Sequence, residues 1–324
     1  MNILFLERKS VDPDGIDLSP IERLGNVRYL ESSDRGEQIR AAADADALII
    51  NKTVLTRDYL AACPNLKCVC LLATGYNNVD LDAARDLGIA VCNVPGYSTD
   101  AVAQLTFSFI LNFATNMIPY SESVKNGDWT RCDSYTYYGW DIRELTGKSV
   151  GIVGFGSIGK RVGALAHAFG MRVLAHTRTV PADLSGIPYP VSFLPLDELL
   201  KESDFVTLHC PLTEKTRSLI NRETLAHMKK TAFLINTSRG AVVDEQALAD
   251  ALNEGRIAGA GIDVLDPEPM RPDCPYLNAK HILVTPHIAW AAREARERLI
   301  GEVAENLKSF REGGRRNRVD LLGI

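Results

Sequence analysis

Residues 148–178 read KSVGIVGFGSIGKRVGALAHAFGMRVLAHTR, and their pattern decides the fold. An apolar run at Val150, Ile152 and Val153 stops at Gly154-Phe155-Gly156-Ser157-Ile158-Gly159. Val162, Leu165, Ala166 and Phe169 then recur at helical spacing until Gly170 ends the helix, and residues 171–175 form a second apolar run. The stretch predicts strand, glycine turn, helix, strand. In such a unit the first glycine permits the tight turn, the second lets backbone approach a pyrophosphate, and the third packs helix on strand. A diphosphate then meets the amide-rich, positive end of the helix. Gly154, Gly156, Ser157, Ile158 and Gly159 are therefore candidate dinucleotide-binding residues.

The usual fingerprint carries an acidic residue about 20 positions on, which bonds the adenosine ribose. Here His176-Thr177-Arg178-Thr179 occupies that place, and no Asp or Glu falls between Met171 and Ala182. A carboxylate would repel a 2′-phosphate, whereas a guanidinium beside hydroxyl donors attracts one. Thr177 and Arg178 thus favour NADP(H) over NAD(H). The alternative is a solvated Arg178 and a site that takes both cofactors.

Working outward, 324 residues with 46% apolar composition suffice for two domains with cores of their own. A net charge of −5 gives no basic face for nucleic acid. Seven scattered cysteines, with no CxxC pair and no Cys/His set at zinc-like spacing, suit small core hydrophobes in a reducing, cytoplasmic compartment; no metal ligands are expected. The N-terminus lacks a cationic leader and reads as a first strand, not a signal peptide. Residues 101–117, AVAQLTFSFILNFATNM, are nearly long enough to span a bilayer, but Gln104, Asn112 and Asn116 favour a buried helix, with no membrane partner.

Before that helix, strand patterns at 2–6, 27–30, 47–50, 68–72 and 90–94 alternate with helical ones at 19–24, 34–43, 57–62 and 81–87. After the glycine turn, strands are expected at 205–209, 232–236, 259–264 and 282–285, with helices near 196–201, 221–227 and 245–253. The βα alternation makes this an α/β protein of two doubly wound parallel sheets. The crossing between them falls at residues 93–98, rich in turn residues, with Ser98 or Thr99 capping the next helix. A final amphipathic helix at 293–311 covers a core and is free to return to the first domain. Residues 125–145 hold Trp129, Tyr135, Tyr137, Tyr138 and Trp140 without periodicity, an aromatic arm folded over its own domain or, as the reading favours, packed on a second subunit.

Ligands in doubly wound sheets bind beyond the carboxyl ends of strands. Arg239, Glu268 and His287 each follow such an end, in NTSRG, DVLDPEP and TPHIAW. An arginine fork suits a 2-keto acid's carboxylate and carbonyl, and a histidine kept protonated by a carboxylate suits proton donation to that carbonyl. Taken singly, each has an ordinary structural explanation, and spacing does not show that Glu268 and His287 touch.

GFGSIG, LINTSRGAVVD (234–244), GIDVLDPEP and TPHIA occur in this order along essentially the whole chain, and the set resembles the D-isomer specific 2-hydroxyacid dehydrogenase family. The resemblance implies a flavodoxin-like substrate domain from residues 1–98 and 291–324, and a Rossmann NAD(P)-binding domain from 99–290. It implies Arg239, Glu268 and His287 as substrate-binding and proton-relay residues, and Cys210, Pro211, Thr216, Thr237, Ser238 and Asp263 around the cofactor. Lys52, Thr74, Gly75 and Trp290 become substrate-binding candidates, since backbone amides at the LATGYNNVD turn (72–80) suit a carboxylate. PGYSTDAVAQ (95–104) and HIAWA (287–291) resemble the glycerate dehydrogenase or hydroxypyruvate reductase branch, though Gln104 stands where many relatives carry Glu. The expected substrates are small 2-keto or 2-hydroxy acids, hydroxypyruvate and glyoxylate foremost, and the expected assembly is a homodimer. Lactate, phosphoglycerate or phosphite oxidation and a dinucleotide-sensing, corepressor-like role are the alternatives; Glu268 disfavours formate, whose enzymes in this family carry Gln there.

Overall fold

In a computed structural model that describes residues 1–322, the chain divides into two compact units, Met1–Ser98 with Ala291–Ile324 and Thr99–Trp290. Unit 1 contains β1 (Asn2–Leu6), β2 (Asn26–Leu30), β3 (Ala47–Ile50), β4 (Cys68–Leu71) and β5 (Ala90–Cys92) in a parallel sheet ordered β2-β1-β3-β4-β5. Every residue of β3, β4 and β5 is buried, the condition of a parallel sheet covered on both faces. Asp34, Thr56 and Asp80 accept amide hydrogens of Glu37, Tyr59 and Ala83, so the helices Arg35–Ala42, Arg57–Ala61 and Leu81–Asp86 each start at a side-chain cap.

The helix Arg293–Arg311 belongs to unit 1, burying Leu299, Ile300, Val303 and Leu307. Its stripe also buries polar groups that anchor it: Arg296 donates to the Val11 carbonyl and to Asp14, and Asn306 donates to the Asn93 carbonyl.

Unit 2 holds β6 (Ser149–Val153), β7 (Arg172–His176), β8 (Ser192–Phe193), β9 (Phe205–Leu208), β10 (Phe233–Asn236), β11 (Gly259–Ile262) and β12 (Ile282–Val284), all parallel, in the order β12-β11-β10-β9-β6-β7-β8. The two-residue β8 is too short to carry a period, so the sequence pattern does not reveal it. Several strands end before their apolar runs do; β11 stops at Ile262, and Asp263 and Val264 leave the ladder for the site described below.

The long apolar run is two helices, Thr99–Thr115 and Met117–Lys125, bent by 59°. Asn116 adopts the left-handed conformation between them, and the Asn112 side chain accepts the Ile118 amide that the break releases. The first helix buries Phe107, Phe109 and Phe113 against the sheet, and Phe113 stacks on Phe233 at 4.7 Å. Gly261 permits that approach, because a Cβ there would lie 2.6 Å from the Phe109 ring. Among the described residues no single helix is long and apolar enough to cross a membrane.

The aromatic arm folds back in part. The Tyr120 hydroxyl donates to the Trp140 carbonyl, and the rings of Trp140 and Tyr137 meet Tyr120 edge-on. Tyr135 and Tyr138 remain 94% and 80% exposed. One gathering was invisible in the spacing: Cys68, Cys70 and Cys92 place their sulfurs within 4.8 Å of one another. The first two share a face of β4, and Cys92 is the register partner of Cys70 on β5, so sheet pairing makes the cluster.

Candidate active site and dinucleotide turn

Because unit 2's sheet is parallel, the residues after its strands share one edge. The glycine turn lies after β6. Gly154 has φ 98°, and a Cβ on it would stand 2.5 Å from the Cys210 amide nitrogen, so the end of β9 closes directly on it. A Cβ on Gly159 would lie 2.3 Å from the Gly154 carbonyl oxygen, which fixes how closely helix meets turn. Gly156 differs: nothing described lies within 4 Å of its missing Cβ. It precedes the helix Ser157–Ala168, whose first amides receive no side-chain cap among the described residues. Uncapped amides beside an open glycine fit a pyrophosphate. Thr177 and Arg178 follow β7, with Thr177 half-buried and Arg178 exposed.

After β9, Cys210 is buried and the Thr216 hydroxyl donates to the Pro211 carbonyl at 2.6 Å while accepting the Thr213 amide, which makes a tight turn. After β10, Asn236 organises the next three residues. Its Oδ1 accepts the Ser238 amide and hydroxyl, and its Nδ2 donates to the Arg239 carbonyl. Thr237 is buried with its hydroxyl 3.2 Å from that of Thr106. The Arg239 guanidinium donates to the Ser238 carbonyl at 2.7 Å. Only glycine can follow, since a Cβ on Gly240 would fall 2.0 Å from the Leu265 carbonyl carbon; the Arg239 turn therefore rests on the segment that leads to Glu268.

Glu268 and His287 meet: the His287 Nδ1 lies 2.7 Å from the Glu268 Oε2, while Oε1 accepts the Leu265 amide. The pair is partly shielded, with 24% of the His287 side chain and 31% of the Glu268 side chain exposed. With Nδ1 engaged by the carboxylate, Nε2 is the ring nitrogen left to exchange a proton. Asp263 fixes the turn around the histidine. Its carboxylate accepts the Thr285 hydroxyl and the Ile288 and Ala289 amides, and burial pushes its carboxyl up against the opposing pull of those hydrogen bonds. Asn236 and Thr285 were not singled out from sequence; the available signal was a polar residue closing an otherwise apolar strand.

Unit 1 carries the remaining candidates. Lys52 follows β3 and is exposed; Thr74 and Gly75 follow the neighbouring β4, with the Thr74 hydroxyl donating to the Val94 carbonyl and the Asn93 amide group to the Thr74 carbonyl. Trp290 is half-buried at the end of unit 2.

A parallel sheet with this glycine turn and a histidine–carboxylate pair beyond its strand ends defines a Rossmann-type nicotinamide-dependent oxidoreductase. The family model for "D-isomer specific 2-hydroxyacid dehydrogenase, NAD binding domain" matches residues 107–289, and the chain belongs to that family. It is 38% identical to a hydroxypyruvate reductase of Blautia hydrogenotrophica, over 97% of this chain and 98% of that protein. It is 35% identical to a glycerate dehydrogenase of Methylorubrum extorquens, over 98% of each. Among solved structures, D-lactate dehydrogenase from Aquifex aeolicus complexed with NAD and lactic acid superposes with a TM-score of 0.82 at 30% identity, covering 96% of each chain.

Proposed function

We propose that the chain reduces a small 2-keto acid to the D-2-hydroxy acid, with hydroxypyruvate and D-glycerate as the leading pair and glyoxylate next. The observation that carries this reading is the 2.7 Å contact between His287 and Glu268 beside a family-matched dinucleotide fold. The names of the two relatives supply the substrate class.

The turn at residues 154–159 and the first amides of the helix Ser157–Ala168 would hold a dinucleotide, whose nicotinamide would supply hydride to the keto carbon. The Arg239 fork pairs with the substrate carboxylate and adjacent carbonyl oxygen, which orients that carbon. His287, protonated, passes its Nε2 proton to the oxygen as negative charge develops there. The negative charge of Glu268 favours the imidazolium before transfer and holds the ring orientation throughout. In the oxidative direction neutral His287 takes the hydroxyl proton. Lys52, the Thr74–Gly75 turn and Trp290 are assigned to substrate binding, and Thr177 with Arg178 to a 2′-phosphate, which makes NADPH the preferred reductant.

Steady-state assays of hydroxypyruvate, glyoxylate and pyruvate, each with NADH and NADPH, test this. Hydroxypyruvate with NADPH is expected to have the highest kcat/KM; absence of turnover with all three acids overturns the reading. Exposed Tyr135 and Tyr138, with Met117 and Ile118 on the adjoining helix, are proposed to be covered by a second copy of the chain. A single monomeric species in light scattering would oppose that. Seven free cysteines support placing the protein in the reducing cytoplasm.

A further inference from the structure

A cavity of about 660 Å³ opens in unit 1, lined by residues of that unit. Its walls are the turns that follow β1, β2 and β3, together with the helices Arg35–Ala42 and Arg57–Ala61. With strand order β2-β1-β3-β4-β5, the winding reverses between β1 and β3, and crevices at such reversals are where open α/β sheets place ligands. The volume falls in the range of small organic ligands.

The wall between β1 and β3 is tied by one carboxylate. Glu7, in the left-handed conformation, accepts the amides of Asn51, Lys52 and Thr53 on its Oε2 at 2.9, 2.9 and 3.0 Å. Its charge is thereby directed at backbone donors. Glu31 is similarly occupied, with Oε1 accepting the Lys9 amide at 3.0 Å. Against these two acids the cavity presents three cations, Lys9, Arg35 and Lys52. Arg35 is held in place, donating to the Thr56 hydroxyl at 2.8 Å and lying 5.9 Å over the Tyr59 ring. The balance favours a ligand with one anionic group.

Tyr59 provides the second observation. It lines the cavity, is 0% exposed, and its hydroxyl has no hydrogen-bond partner among the described residues. Native folds rarely leave a buried phenol unpaired, so this hydroxyl points to a group that arrives with a ligand. Burial pushes the phenol up, which keeps it a donor. Ser32, Ser33 and Thr53 also line the cavity, and Val54 is the aliphatic side chain on the wall. Arg35 lies over the Tyr59 ring, the one aromatic ring of the lining, and the remaining polar side chains match hydroxyl groups.

We propose that this cavity is a second ligand site, for a small polyhydroxylated anion of the sugar phosphate or sugar acid class. Lys9 and Arg35 pair with the phosphate or carboxylate, and Tyr59 and Thr53 bond the hydroxyls. Lys52 is shared with the substrate set proposed above, so the test relies on the others.

Calorimetric titration of the full chain, without keto acid or dinucleotide, provides the measurement, with glucose 6-phosphate, gluconate and inorganic phosphate as probes. At least one sugar anion is expected to bind saturably at one site, about tenfold or more tighter than inorganic phosphate. Glucose 6-phosphate ahead of gluconate assigns the phosphate class, and the reverse order the carboxylate class. Lys9→Ala and Arg35→Ala are each expected to weaken that binding about tenfold, while turnover of hydroxypyruvate stays within about twofold of the parent. Tyr59→Phe is expected to weaken binding without lowering the thermal midpoint, because it deletes a hydroxyl that has no partner in the unliganded fold. No binding of either sugar anion, binding unchanged in both Lys9→Ala and Arg35→Ala, or inorganic phosphate binding as tightly as both overturns the proposal. Since the heat of binding does not depend on turnover, the binding results, unlike the hydroxypyruvate comparison, are independent of whether the keto-acid reading holds.

Discussion

Asp263 holds His287 through the backbone: its carbonyl accepts the His287 amide at 2.8 Å, while its carboxylate takes the amides of the next two residues. His287 consequently sits at φ 55°, a left-handed conformation that a residue with a Cβ adopts only when its surroundings compel it. The imidazole is aimed at Glu268 by that turn. Asp263→Asn, which removes one acceptor of this set, is expected to lower kcat by about tenfold with a smaller change in dinucleotide affinity. Steady-state kinetics and a dinucleotide titration check it, and unchanged kcat would show that the turn holds its shape without the carboxylate.

His287→Ala removes the proton donor and should cost two or more decades of kcat, roughly 3 kcal/mol of barrier, with NAD(P)H binding retained. Glu268→Gln keeps the shape of the contact and removes its charge, so an intermediate loss, about tenfold or more, is expected. Equal turnover in parent and His287→Ala enzyme would remove His287 from the chemistry.

The glycine turn allows fold and ligand binding to be separated. Gly156 has open space where a Cβ would go, whereas Gly240 has none. Gly156→Ala is expected to leave the thermal midpoint nearly unchanged and to weaken NADPH binding about tenfold. Gly240→Ala is expected to destabilise the fold by about 2 kcal/mol or more, read by chemical denaturation. A tolerated Gly240→Ala would mean that the Leu265 segment moves freely, against the packing described.

Cofactor choice rests on Thr177 and Arg178. Replacing Thr177 with Asp puts a carboxylate where the family fingerprint usually has one, and the ratio of kcat/KM for NADPH over NADH is expected to fall by about tenfold or more. A ratio that does not move would place the 2′-phosphate elsewhere.

His209 predicts acid sensitivity. Burial lowers its pKa to about 3, and neither ring nitrogen finds a partner among the described residues. The folded chain therefore keeps it neutral, while the unfolded chain protonates it below the ordinary value of 6.5. The unfolded state binds the extra proton, so stability is full above pH 6.5 and declines toward pH 3, by at most about 1.4 kcal/mol per pH unit from this group. Urea denaturation at pH 7.5, 6, 5 and 4 should show a shallower decline in His209→Phe than in the parent. Parallel curves would assign the acid loss to other groups.

Local pattern carried the strand–glycine–helix unit, the alternation behind both sheets, and the motif set that marked the family, because strand and helix periods and turn residues act over a few positions. Tertiary structure decided the rest. The break at Asn116 depends on the Asn112 side chain capturing a released amide, which hydropathy alone does not register. The return of the helix Arg293–Arg311 to unit 1 depends on Arg296 and Asn306 finding Val11 and Asn93, hundreds of positions away. His287 and Glu268 are 19 positions apart, and their contact exists because parallel β11 and β12 end side by side and Asp263 turns one loop back on the other. Spacing along a chain sets which residues share a local face; only the register of the sheet sets which loops meet at its edge.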